Sequence, residues 1–139
     1  MASTRTQLTK AHYETLAAWR YALRRFHRFS REAAQAAGLT PQQHQALLAI
    51  KGAPGRDHAS VGEIAERLHL QPHSAVGLID RLAKRGLVRR TASTEDRRRI
   101  EVRVTAKGEA LIGRLSAAHL QELRQVGPEL RKLLADAGA

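Results

Sequence analysis

Glu95-Asp96-Arg97-Arg98-Arg99 is the densest run of chemistry in the chain. Adjacent guanidinium groups repel one another, and the two acids beside them offset that repulsion only in part. Each guanidinium is a permanently charged planar fork that matches phosphate oxygens and the O6/N7 edge of guanine. A phosphate-lined groove supplies the missing counter-charge, and a narrow minor groove concentrates negative potential where one arginine can enter. The competing reading is a solvated charged turn.

A second group lies upstream, where His73, Ser74, Gly77 and Arg81 share one face of an expected helix. Arg81 has the reach to bind guanine bidentately, and His73 and Ser74 can donate to bases or phosphates. An ordinary wet helix face explains the same residues. Ser60 opens another helix, whose free N–H groups would suit a phosphate, although capping alone accounts for a serine there. Arg89 and Arg90 flank an expected strand, and at least one of them should face phosphate. Asp80 precedes Lys84 by four residues and reads as a structural ion pair. Among the seven histidines, His69 and His73 are spaced i, i+4, but Pro72 between them spoils the helical register. No Cys-x-x-Cys or His-Glu-x-x-His occurs, so neither a metal nor another cofactor is expected.

The elements that must position these groups follow from periodicity. Between about residues 12 and 37 there is no Gly or Pro, and Leu16, Trp19, Leu23, Phe26, Ser30, Ala33 and Ala37 step by three and four. Such a helix would be about 39 Å long at ~1.5 Å per residue. That is long for a small domain, so its stripe needs a cover. Thr40-Pro41-Gln42-Gln43 and Ser60-Val61-Gly62-Glu63 are capping boxes that open two further helices. The second is short and joins through residues 69–71 to a helix beginning at Pro72, with Ala75, Leu78, Ile79 and Leu82 inward and Gly86 ending it. Two short helices joined so closely form a helix-turn-helix pattern. Residues 87–91 and 100–105 then read as strands around a loop at 92–99, a wing. Thr105 caps a long helix carrying Leu111, Ile112, Leu115, Leu123 and Val126, and Gly127-Pro128 is expected to break it before a last short helix at 128–137. The resulting order is α-α-(β)-α-α-β-β-α-α: mainly α with a small β-wing, a winged helix-turn-helix between long terminal helices.

Composition agrees with a nucleic-acid partner. The chain has 139 residues, with 24 Lys plus Arg against 13 Asp plus Glu and a formal net charge of +11. A hydrophobic content of 42% is ordinary for a folded domain, which removes the disordered basic tail from consideration. No apolar run approaches the length of a membrane span, and the first residues lack a signal-peptide core, so the expected location is cytoplasmic. Cysteine is absent, which excludes disulfides and thiol-based redox sensing within these residues.

The segments GLTPQQHQALLAI, VGEIAERLHL, IDRLAKRGLVRR and EDRRRIEVRVTAKG resemble the MarR family of transcriptional regulators from about residue 10 onward. The last segment matches the family's wing signature, Asp-Arg-Arg followed by a strand and Thr-x-x-Gly. The resemblance implies one domain over 1–139, with a winged lobe at about 38–108 and dimerisation helices at about 10–37 and 106–139. It also implies a two-fold dimer reading a pseudo-palindromic site, which would cover the over-long first helix. On this basis Arg98 enters the minor groove, Asp96 orients it by a charge-assisted hydrogen bond, and Arg97 contacts phosphate. Leu111 and Leu115 fall on the expected dimer seam. Many members carry a small polar residue and an arginine where this chain has Val76 and Gly77, so its base code differs. Tyr13, Trp19 and His44, with Phe26, would line the family's ligand crevice for a small-molecule effector, although Trp19 and Phe26 fit a plain dimer core better.

Two functions compete: a dimeric, sequence-specific repressor, and an architectural or non-specific DNA-binding protein with no ligand response. An enzyme has no support, since no nucleophile–base pair, phosphate-binding glycine loop or metal cluster occurs. Membrane-surface binding fits poorly as well, because the arginines crowd a hairpin tip instead of one amphipathic helix face.

Overall fold

Three side-chain caps set the phase of the helices. Thr40 Oγ1 accepts from the Gln43 amide at 3.1 Å, and Ser60 Oγ accepts from the Glu63 amide at 3.2 Å, each answered by the reciprocal bond of a capping box. Thr105 Oγ1 accepts from the Gly108 amide at 3.1 Å and donates to the Gly86 carbonyl at 2.6 Å. The computed structural model describes residues 7–138. Its helices are α1 (Lys10–Ala36), α2 (Pro41–Lys51), α3 (Val61–Leu68), α4 (Pro72–Lys84) and α5 (Ala106–Gly138). Its strands are β1 (His58–Ala59), β2 (Val88–Ala92) and β3 (Ile100–Val104), an antiparallel sheet in the order β1-β3-β2. This is the winged helix-turn-helix architecture with long terminal helices that the sequence predicts.

The chain divides into two compact units, one of them Arg31–Ala117 and the other the outer parts of α1 and α5, up to Ser30 and from Ala118. The central unit is the winged lobe. Its core gathers Leu47 and Ile50 of α2, Ile64 of α3, Leu78, Ile79 and Leu82 of α4, Leu87, and Val102 of β3. Ile112 and Leu115 of α5 join the same cluster, and Leu111 packs against it. Leu115 is therefore buried within the lobe, where the sequence places it on a dimer seam. Gly108 lies where a Cβ would come 2.3 Å from the Leu87 carbonyl oxygen and 2.7 Å from Val104 Cγ1. Only glycine lets α5 start so close to Leu87, in the turn between α4 and β2.

In the terminal unit, Ser30 Oγ meets His119 Nε2 at 2.9 Å, and the His119 ring stands edge-on to Phe26 and Phe29. The serine that interrupts the α1 stripe is thus the polar partner of a histidine on α5. Pro128 does not break α5, which runs on to Gly138 with the proline inside it, contrary to the expected separate helix at 128–137. A proline removes one backbone hydrogen bond while its φ stays helical. Burial of Leu133 beyond it anchors the far end. No helix among the described residues is long and apolar enough to cross a membrane.

Candidate nucleic-acid interface

The α3–α4 connection is a tight turn. His69 takes a left-handed conformation (φ 53°) as the C-cap of α3, the Leu70 amide returns to the Ala65 carbonyl at 2.8 Å, and Pro72 sits in the first turn of α4. Burial of Ala75, Leu78, Ile79 and Leu82 then fixes the rotation of α4. His73, Ser74, Asp80, Arg81 and Lys84 lie toward the other side, with Gly77 half-buried between them. Val76 is 45% exposed on the same outer surface.

Asp80 does not pair with Lys84. Its Oδ1 accepts from Arg90 Nη2, from β2 to α4. An i, i+4 partner on a helix gains only a few tenths of a kcal/mol, and the arginine brings a planar fork in its place. The pair commits Arg90, whereas Arg89 has no ion pair among the described residues. Arg89 lies opposite Arg103 in the β2–β3 register, but Arg103 donates to Asp57 at 2.9 Å and to Glu101 at 3.0 Å, so its charge is compensated.

The wing is folded by its own small polar groups. Ser93 is 7% exposed, and its Oγ accepts from the amides of Glu95 at 3.2 Å and Asp96 at 3.3 Å. The Ser93 amide donates to the Arg99 carbonyl at 2.9 Å, and the Arg99 amide to the Asp96 carbonyl at 3.0 Å. Asp96 Oδ1 accepts from the Arg98 amide at 3.0 Å. The aspartate therefore acts on the backbone of Arg98, where the sequence reading has it orienting the guanidinium. Arg97, Arg98 and Arg99 all remain exposed. Ser93 is absent from the residues that the sequence singles out, and the turn-forming string Ser-Thr-Glu-Asp is the signal that points to it.

Ser60 is half-buried and its oxygen is engaged in the α3 cap. Glu63 in that first turn is ion-paired with Arg56. Arg85 ties the C-terminus of α4 to the α1–α2 turn through the Gly38 carbonyl at 2.8 Å and Gln43 Oε1 at 3.1 Å. Of the residues assigned to a ligand crevice, Tyr13 is 57% exposed on α1, Trp19 is half-buried on α1, and His44 is 3% exposed in α2. Among the described residues no three His, Cys, Asp or Glu side chains are grouped as metal ligands.

Residues 37–99 match the model of the MarR family. The chain is similar to the transcriptional repressor MdtR of Bacillus subtilis, at 37% identity over 80 residues. That match takes in 56% of this chain and 48% of MdtR, so the chain spans about half the length of this relative. A MarR family protein from Bacillus stearothermophilus superposes with a TM-score of 0.75 at 22% identity, covering 96% of this chain and 100% of that one. CouR from Rhodococcus jostii RHA1, solved bound to p-coumaroyl-CoA, gives 0.61 at 25% identity, covering 76% of this chain and 78% of CouR.

Proposed function

We propose that this chain, whose residues 37–99 match the MarR family model and which is similar to the repressor MdtR, is a sequence-specific double-stranded DNA-binding transcriptional repressor of that family acting as a homodimer. One observation carries the proposal: a helix with an outward polar face and a preformed, arginine-tipped wing stand on the same lobe. In this reading α4 enters the major groove and presents His73, Ser74 and Arg81 to base edges. Arg98 enters the adjacent minor groove while Asp96 holds its backbone, and Arg97 and Arg89 contact phosphates. The α3 N-terminus at Ser60 approaches the backbone.

Exposed apolar side chains support the dimer. In the terminal unit Leu8, Tyr13, Leu16, Tyr21, Leu120, Leu123 and Leu134 are each at least 41% exposed. A run of large apolar side chains on the terminal helices is the kind of surface that a second copy would cover. The proposal includes a small-molecule effector, supported by the CouR complex, and Tyr13, Trp19 and His44 are each a position at which contact with it can be tested separately. Such a ligand acts by preferring one spacing of the two α4 helices, which must lie about 34–36 Å apart to meet successive major grooves. The protein would work in the cytoplasm, where its operator is.

Selection of genomic fragments by the purified protein tests the reading. Enrichment of a pseudo-palindrome with half-sites about ten base pairs apart is the expected result. Recovery of fragments with no shared sequence would leave only the architectural binder.

A further inference from the structure

Gly77 has no side chain with which to read a base, yet it occupies the middle of the outward face of α4. Its surroundings show what uses the space. A Cβ built on Gly77 would lie 3.4 Å from Arg81 Nη1, and no other group from outside the helix backbone comes within 4 Å of it. Arg81 is four residues further along, so its Cα–Cβ bond points back toward position 77. Its guanidinium therefore lies one turn N-terminal to its own Cα, against the bare Cα of Gly77. The neighbouring carboxylate does not compete for it, because Asp80 is held by Arg90.

We propose that Gly77 is the seat of Arg81, and that this pair makes a specificity-determining contact to guanine. The inference rests on the DNA-reading function proposed above and names a residue pair that sets its sequence preference. Position matters because a recognition helix contacts base edges mainly through its N-terminal residues. Arg81 lies in the last turn of α4, where an outstretched side chain would reach the DNA backbone. Folding back over Gly77 carries the fork about 5 Å toward the N-terminus, to the level of the base edges. The folded-back path uses the space that the bare Cα leaves, since a Cβ at position 77 would meet the guanidinium at 3.4 Å. The glycine supplies the space and the arginine supplies the donors.

The test is selection from a randomised duplex library with the wild type, Arg81→Met, Gly77→Leu and the double variant. Leucine is a strong helix former and a Cβ at this position meets only the end of the Arg81 side chain within 4 Å, so Gly77→Leu should stay folded, as its thermal melt checks. The wild type should enrich a guanine at one position in each half-site. Arg81→Met should lose that preference by about ten- to a hundredfold while the rest of the motif persists. Gly77→Leu should lose the same guanine although Arg81 is still present, and the double variant should be no worse than either single one. A folded Gly77→Leu protein that keeps the guanine overturns the seat. An Arg81→Met protein that keeps the motif and only binds more weakly makes Arg81 a phosphate contact and overturns the base contact. A wild type that enriches no sequence overturns the DNA-reading function itself, and this inference with it.

Discussion

Arg98 donates its backbone amide to Asp96 Oδ1 at 3.0 Å. The acid beside the arginine run thus shapes the loop without neutralising the guanidinium directly. Ser93 Oγ holds the same loop from the other side through the amides of Glu95 and Asp96. The wing tip has its conformation before it meets any partner, and its positive charge stays available.

Replacing Arg98 with alanine separates binding from stability. The side chain is exposed, so the melting temperature should change by no more than about two degrees. Affinity for the selected duplex should fall about tenfold or more, and the slope of log affinity against log salt should shrink by about one. Unchanged affinity in a folded variant would refute the assignment of the wing.

Two substitutions at Asp96 have opposite consequences. Asp96→Asn keeps an acceptor for the Arg98 amide and removes a negative charge near the DNA, so affinity should hold or rise. Asp96→Ala removes the acceptor, and DNA binding should weaken several-fold even though the same charge is lost. Tighter binding by the alanine variant in a fluorescence titration would reduce Asp96 to a simple electrostatic penalty.

The junction of wing and α5 controls stability. Gly108→Ala would force a methyl group toward the Leu87 carbonyl and should destabilise the lobe by about 2–3 kcal/mol in urea unfolding. Thr105→Val loses both the cap on Gly108 and the bond to Gly86, for about 1–2 kcal/mol. A Gly108→Ala protein as stable as the wild type would mean that α5 can withdraw from Leu87.

Assembly is best probed where the apolar surface is exposed. Leu120→Glu and Leu134→Glu replace leucines that are 53% and 62% exposed, and both should give a folded monomer in sedimentation. Leu115→Glu would instead place a charge in the lobe core and unfold it, because Leu115 is 5% exposed there. An intact dimer from the Leu120→Glu, Leu134→Glu double variant would rule out the terminal helices as the interface.

These contrasts show which features are legible in sequence. Thr40, Ser60 and Thr105 can be read as caps because a cap acts within three residues, through bonds that the local string already contains. The inward face of α4 is legible for the same reason, since Ala75, Leu78, Ile79 and Leu82 repeat at helical spacing. The partner of Asp80 is not, because Arg90 lies ten residues away on a strand, and only the fold brings it near. Leu115 fits the α5 stripe whether it faces the lobe or a second copy, and periodicity does not distinguish the two. Pro128 misleads because local propensity argues for a break, whereas packing of Leu133 beyond it holds the helix together. The i, i+4 spacing aims Arg81 back toward Gly77, but it does not specify the path of the side chain beyond Cβ that brings the guanidinium there.

The most direct test of sequence-specific reading is a titration of the wild-type protein at one fixed, near-physiological salt concentration. One duplex carries the selected pseudo-palindrome, and the other carries the same bases scrambled. Affinity for the palindrome should exceed that for the scrambled duplex by about a thousandfold or more. Equal affinities, both falling steeply with salt, would contradict it and leave a basic protein that grips DNA of any sequence.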